Sequence, residues 1–112
     1  MRGNLSLWSR IVEASQFYRR LARRTESKYK ATILSLAASA LEDLSDDVAN
    51  GYIRKSTAEK IEYVVRLLKR NYLPYFTLER AYNEARSRFH VRQPLTRWMY
   101  VNVDDMATVG LA

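Results

Sequence analysis

The sequence predicts a mostly α-helical protein, in which a four-helix bundle-like domain is followed by a short C-terminal β segment. The 112 residues include only three glycines and two prolines, so few turns are obligatory and a few long helices are favoured. Apolar residues recur at three- and four-residue steps along most of the chain, as the buried face of a helix requires. We therefore expect a helical domain over residues 1–92 and a β segment over residues 93–112.

Composition bounds the class of protein. Hydrophobic residues make up 47% of the chain and charged residues 28%, which is typical of a globular domain. The absence of cysteine excludes a disulfide framework and fits an intracellular protein of the cytoplasm, nucleoid or nucleus. No apolar run is long enough to cross a bilayer, so no membrane partner is expected. The net charge of +7 suits nucleic acid, an acidic protein partner or an anionic surface.

The first predicted helix covers residues 5–24, with Asn4 or Ser6 as its N-cap. Its apolar stripe consists of residues at helical spacing: Leu7, Trp8, Ile11, Ala14, Ser15, Tyr18, Leu21 and Ala22. Four cations near its end are candidates for contact with nucleic-acid phosphates: Arg19, Arg20, Arg23 and Arg24. The alternative is a solvated face whose charge suits the negative end of the helix dipole.

The second predicted helix, Lys28–Asn50, is the longest and the central rod of the domain. Thr25 or Ser27 can cap its start, and Gly51 can end it in the left-handed conformation. Four acids lie near its C-terminal end, where the helix dipole disfavours negative charge: Glu42, Asp43, Asp46 and Asp47. We expect cationic side chains to compensate them, either the chain's own Arg54 and Lys55 or those of a partner. The spacing of these acids does not fit a calcium loop, so no metal site is predicted.

A capping box from Ser56 to Glu59 predicts the start of a third helix, which ends near Asn71 because Pro74 follows. Its inward residues share one face: Ile61, Val64, Val65, Leu68 and Tyr72. Lys69 and Arg70 on its outer side are further candidates for nucleic-acid contact. Thr77 caps a fourth predicted helix over residues 78–89, whose buried stripe is Leu78, Ala81, Tyr82, Ala85 and Phe89.

Aromatic residues supply a candidate partner interface. Tyr72, Tyr75 and Phe76 surround Pro74, where they form either a knob for a partner or a corner packed on the core. Residues 97–103 alternate as a strand does, with Trp98 and Tyr100 on one face. Phe17, Trp98 and Tyr100 complete the predicted partner interface.

Catalytic patterns are absent from the sequence. The chain has one histidine, His90, and it lacks a Cys–His pair, a glycine-rich phosphate loop and an HExxH motif. We therefore expect a protein without catalytic residues, bound cofactor or metal.

The order of several short motifs resembles that of a known family. Phe17 and Tyr18 precede the long helix, and Pro94 leads to the run YVNVDDM at residues 100–106, with Val109-Gly110 after it. In these features the chain resembles GINS subunits, in which a helical domain is joined to a small β-domain. The resemblance implies that the β-domain is truncated here, since the chain stops where that domain would begin.

The resemblance also implies a function in DNA replication. A subunit of this kind is a non-catalytic scaffold that assembles with other subunits of a hetero- or homo-oligomer. It couples an MCM-type helicase to a Cdc45/RecJ-like protein. The alternative is a small basic α-helical protein that binds nucleic acid through its first and third helices.

Overall fold

A computed structural model describes residues 2–92 of the chain. Over this range the elements are α1 (Arg2–Arg24), α2 (Lys28–Asn50), β1 (Ile53–Arg54), α3 (Lys55–Arg70), α4 (Phe76–Arg88) and β2 (Val91–Arg92). The predicted fold class is confirmed, since the chain is mostly helical with a short two-stranded sheet towards its C-terminal end. The strand predicted for residues 97–103, with Trp98 and Tyr100, lies outside the described residues.

Helix α2 is the centre of the fold, as the sequence predicts, and has the predicted bounds. It contacts α1, α3, α4 and β1, and its buried residues extend over a wide arc. Ala37, Ala38 and Ala40 are fully buried, and such small side chains let neighbouring helices approach closely. An amphipathic helix with one neighbour buries only a narrow stripe, so the wide arc follows from the central position.

Both ends of α2 are capped by local signals that the sequence contains. The Ser27 side chain accepts a hydrogen bond from the backbone N–H of Lys30 at 3.2 Å, which identifies Ser27 rather than Thr25 as the N-cap. Gly51 adopts φ +89° and donates its backbone N–H to the carbonyl of Val48 at 3.1 Å. Glycine adopts this left-handed conformation without the steric cost of a side chain.

The predicted boundaries of α1 and α4 are corrected at their N-terminal ends. Helix α1 begins at Arg2, three residues before the predicted start, and Trp8 lies at the edge of its buried face with 38% of its surface exposed. Helix α4 begins at Phe76 with Tyr75 in the N-cap position, so Thr77 is not the cap. Neither Tyr75 nor any other local side chain caps α4, because a residue of α1 supplies that bond, as described below.

The predicted capping box of α3 is wrong, and a carboxylate of α2 explains why. Helix α3 begins at Lys55, and Arg54 occupies the N-cap position without a side-chain cap. Asp47, only 2% exposed, accepts the backbone N–H of Arg54 at 3.1 Å and its Nε–H at 2.6 Å. This carboxylate therefore provides the bond to the N-cap backbone that Glu59 was expected to provide. Its hydrogen bond to the guanidinium raises the pKa of Arg54.

The acids of α2 are compensated mainly by cations of other helices. Glu42 binds Arg19 of α1 at 2.9 Å, and Asp43 binds Lys60 of α3 at 3.0 Å. The prediction for Arg54 is confirmed by its bond to Asp47. The prediction for Lys55 is wrong, since Lys55 forms no salt bridge within residues 2–92.

A two-residue parallel pairing joins the chain after α2 to the chain after α4. Ile53 pairs with Val91, and Arg54 pairs with Arg92. The backbone N–H of Ile53 donates to the carbonyl of His90 at 3.0 Å. Strands of this length contain too few residues to show an alternating pattern, so the sequence did not predict them. In the part of the chain described, no helix is both long and apolar enough to cross a membrane.

Candidate functional site

The turn between α3 and α4 contains the one non-glycine residue with a left-handed backbone in the described chain. Tyr72 has φ +57° and donates its N–H to the carbonyl of Lys69, while Leu73 donates to the carbonyl of Leu68. These two bonds form a Schellman motif, in which the left-handed position is usually glycine. A bulky side chain in this conformation is strained, and such strain is found preferentially at functional positions.

Three exposed aromatic residues, Tyr72, Tyr75 and Phe76, form what we call the aromatic corner. Their side chains are 95%, 37% and 63% exposed, respectively. The prediction that Tyr72 faces inward is wrong, because the left-handed turn removes it from the helical period of α3. Leu73 and Pro74 complete a shallow groove at this corner, and Leu73 packs on the core. The exposure of the rings favours the partner-knob interpretation over the packed-corner alternative.

Tyr18 of α1 fastens the aromatic corner to the rest of the fold. Its fully buried hydroxyl donates to the carbonyl of Pro74 at 2.9 Å and accepts the backbone N–H of Leu78 at 3.0 Å. Leu78 is the third residue of α4, whose N–H has no partner within its own helix. Tyr18, which lies far from α4 in the sequence, therefore takes the role of the N-cap side chain.

The environment of Tyr18 keeps its hydroxyl neutral. Burial raises the pKa of Tyr18 to about 12, because a phenolate would lose its contact with water. The hydrogen bonds with Leu78 and Thr77 act in the opposite direction but are outweighed. The hydroxyl can therefore donate and accept at the same time at neutral pH.

A groove between α1 and α4 continues the aromatic corner. Phe17, Arg20, Phe76 and Arg80 are among its lining residues. The guanidinium of Arg80 lies 5.8 Å from the centre of the Phe76 ring. Because Phe76 lines both this groove and the groove of the corner, the two form one surface. The structure thus brings together Phe17 and Phe76 from the predicted partner interface and Arg20 from the predicted phosphate surface.

Two of the predicted phosphate-binding cations are engaged within the protein. Arg19 forms its salt bridge with Glu42. Lys69 lies 3.6 Å from a carboxylate oxygen of Glu79, and its ammonium is 4.8 Å from the centre of the Tyr75 ring. Arg70 is exposed on α3 and forms no salt bridge within the described residues. The outer face of α3 therefore offers less free charge than the sequence suggested.

Free cations are concentrated instead where α1 meets α2, in a cluster that we call the basic turn. It consists of five exposed residues that form no salt bridge within the described chain: Arg20, Arg23, Arg24, Lys28 and Lys30. Tyr29 lies between the two lysines and is 60% exposed. No site was predicted at Lys28, Tyr29 and Lys30, although the run KYK directly follows the arginines across a three-residue turn.

Metal-ligating side chains do not converge in the described chain. His90 is exposed just after α4, and its carbonyl takes part in the pairing with Ile53. Within residues 2–92, no group of three or more His, Cys, Asp or Glu side chains could hold a metal ion. A non-catalytic role therefore stays a prediction, and the candidate sites of the described chain are its exposed surfaces.

Comparison of the chain with family models, with curated proteins and with solved structures gives no match. The GINS resemblance therefore stays a prediction that rests on short motifs. The candidate functional surfaces of the described chain are therefore the aromatic corner, the adjoining groove and the basic turn.

Proposed function

We propose that this domain is a non-catalytic assembly module that binds a protein partner through the aromatic corner. The observation that carries the proposal is Tyr72, which combines a strained backbone with a side chain that is 95% exposed. The strain costs stability, of the order of 1–3 kcal/mol, and the exposed ring gives no core packing in return. A binding role accounts for both features.

The corner is also held in place before any partner arrives. Tyr18 fixes Pro74 and the start of α4, so the backbone that carries Tyr75 and Phe76 is tied to α1. Aromatic side chains on a rigid backbone make strong anchors, because little conformational entropy is lost on binding.

Charge around the corner indicates the chemistry of the partner. Arg80 lies over the Phe76 ring. The adjoining groove has three arginines, Arg10, Arg20 and Arg80, against two acids, Glu13 and Glu84, and the whole chain carries a net charge of +7. A partner segment with apolar side chains flanked by Asp or Glu complements such a surface. Two copies of this basic chain would repel each other, which disfavours self-association at this site. A GINS-type scaffold, linking an MCM-type helicase to a Cdc45/RecJ-like protein, is the specific form that the resemblance implies.

A displayed library of peptides that mix apolar and acidic residues tests this proposal. Peptides are selected on the wild-type protein, and their dissociation constants are measured for wild type and for Tyr72→Ala/Phe76→Ala. We expect the double substitution to weaken binding at least ten-fold, since two exposed anchors are lost. Tyr63→Ala is the matched control, because Tyr63 is 53% exposed on α3 and does not line the corner groove.

Two results would contradict the proposal. The first is a set of selected peptides that bind wild type and the double variant equally well. The second is a dimer, detected by sedimentation velocity, that the double substitution dissociates. In that case a second copy of the chain occupies the corner instead of a different protein.

A further inference from the structure

We infer that the basic turn binds single-stranded nucleic acid, with phosphates on its cations and a base stacked on Tyr29. The first observation is the distribution of free cations. Eight cations elsewhere in the described chain are engaged: Arg10, Arg19, Arg54, Lys60 and Lys69 form salt bridges, and Arg80, Arg86 and Arg92 lie over aromatic rings. Lys55, Arg66 and Arg70 have neither kind of contact within residues 2–92. Most cations with neither kind of contact lie in residues 20–30, where Glu26 is the single acid.

The helical positions place these cations next to one another. Arg20 is three residues before Arg23 and four before Arg24, so the three share one face of α1. Residues 25–27 then lead directly into α2, which brings Lys28 and Lys30 to the same end of the helix pair. Like charges at this spacing repel, and binding of a polyanion removes that repulsion while it releases counterions.

Tyr29 indicates why the ligand is single-stranded. Its ring is 60% exposed, lies between two lysines in sequence, and makes no ring contact or hydrogen bond within the described chain. Duplex binding through phosphates needs cations alone, whereas an exposed ring among cations can stack on a base that is free of its partner. An acidic protein would also satisfy the cations, so an acidic polypeptide is included in the test below.

This inference is independent of the aromatic corner. The basic turn touches the groove between α1 and α4 through Arg20 alone, and the inferred contacts do not involve Tyr72 or Phe76. It also revises the expectation that the third helix supplies phosphate contacts. Because Lys69 is engaged with Glu79 and Tyr75, the inference assigns these contacts to Lys28 and Lys30 of the second helix instead.

Fluorescence anisotropy with a labelled oligo-deoxythymidine of about twenty nucleotides tests the inference across a salt series. Each phosphate contact on a single strand contributes roughly −0.7 to the slope of log K against log salt. Five cations therefore predict a slope no steeper than about −3.5. Arg20→Ala/Arg24→Ala should reduce the size of this slope by about 1.4. If the affinities of wild type and the double variant are equal when extrapolated to 1 M salt, this change in slope weakens binding of the variant about 25-fold at 0.1 M salt.

Matched controls separate a defined site from general attraction to a basic protein. Arg66→Ala/Arg70→Ala removes two exposed cations with the same helical spacing from α3, so it changes net charge equally and should leave the slope nearly unchanged. Tyr29→Ala should weaken binding about five- to hundred-fold without altering the slope, and Tyr29→Phe should bind as wild type does. Circular dichroism of each variant verifies that the fold is retained.

Each alternative outcome overturns the inference in a recognisable way. Equal losses in the two arginine pairs would show general electrostatic attraction without a site. Binding to a duplex of the same length that is tighter than to the single strand, and indifferent to Tyr29→Ala, would show backbone contact only. No binding to the oligonucleotide at low salt, together with binding to an acidic polypeptide such as polyglutamate, would identify a protein ligand.

Discussion

Replacing Tyr18 by phenylalanine removes one oxygen atom and both bonds that fasten the aromatic corner. The backbone N–H of Leu78 would lose its partner in a fully buried position, which costs about 1–3 kcal/mol. Pro74 is exposed, so its carbonyl can bind water instead. Loss of the hydrogen bond from Tyr18 to this carbonyl therefore costs less. We expect Tyr18→Phe to lower the free energy of unfolding by about 2–3 kcal/mol at pH 7.

Urea denaturation followed by circular dichroism measures this difference. Tyr82→Phe is the matched control, because the hydroxyl of Tyr82 reaches Glu62 only at 3.5 Å and that carboxylate is exposed. The control should lose less than about 1 kcal/mol. A loss in Tyr18→Phe no greater than that in Tyr82→Phe would refute the capping role that we assign to Tyr18.

The pH dependence of the free energy of unfolding, compared between wild type and Tyr18→Phe, gives an independent test. The pKa of Tyr18 is about 12 in the folded protein and 10.0 as the ordinary value, so the folded state retains the proton that the unfolded state loses. This stabilisation is complete below pH 10 and is lost as the pH rises from 10 to 12. At pH 11 wild type should have lost about 1.4 kcal/mol relative to Tyr18→Phe. A difference between the two proteins that does not change from pH 8 to pH 11 would contradict the proposed burial of the hydroxyl.

Other substitutions test the remaining structural arguments by the same denaturation assay. Asp47→Ala should cost about 2–3 kcal/mol, because both of its hydrogen bonds to Arg54 are lost. A cost below about 0.5 kcal/mol would show that these two bonds do not stabilise the start of α3. Gly51→Ala should cost about 1 kcal/mol through its left-handed backbone alone, since a methyl group there meets open space; an unchanged stability would exclude that strain. Tyr72→Gly should leave the free energy of unfolding unchanged or raise it by up to about 1 kcal/mol, because glycine adopts the left-handed backbone without strain, and it should weaken partner binding. A clear loss of stability would show that the ring supports the fold.

Local signals explain which parts of the fold could be predicted from the sequence. The apolar period of α2, the Ser27 cap and the Gly51 stop all lie within or beside the helix they define, and all three are confirmed. From the sequence, Tyr18 could be assigned only to the apolar stripe of α1, and Asp47 only to the acidic end of α2. Their main partners belong to other elements, and a periodic pattern carries no information about those contacts.

The candidate surfaces were predictable to a similar extent. The aromatic cluster was predicted from the positions of its residues around Pro74, but the left-handed turn that exposes Tyr72 lacks the usual glycine or asparagine signal. The arginine run was recognised as well, whereas the pairing of Arg19 with Glu42 depends on how α1 packs against α2. Which cations remain free is a property of the tertiary structure.

The short parallel pairing of β1 and β2 has a consequence for how the molecule would respond to cleavage. It closes α3 and α4 into a loop whose two ends are held together at Ile53 and Val91, while Tyr18 holds the middle of that loop at Pro74. A protease cut in the exposed turn around Tyr72 would therefore leave a first fragment that contains α1, α2 and α3. The second fragment, with α4, would stay held to the first by the two bonds of Tyr18 and by the strand pairing. We expect the nicked protein to migrate as one species under native conditions and to separate into two only in denaturant.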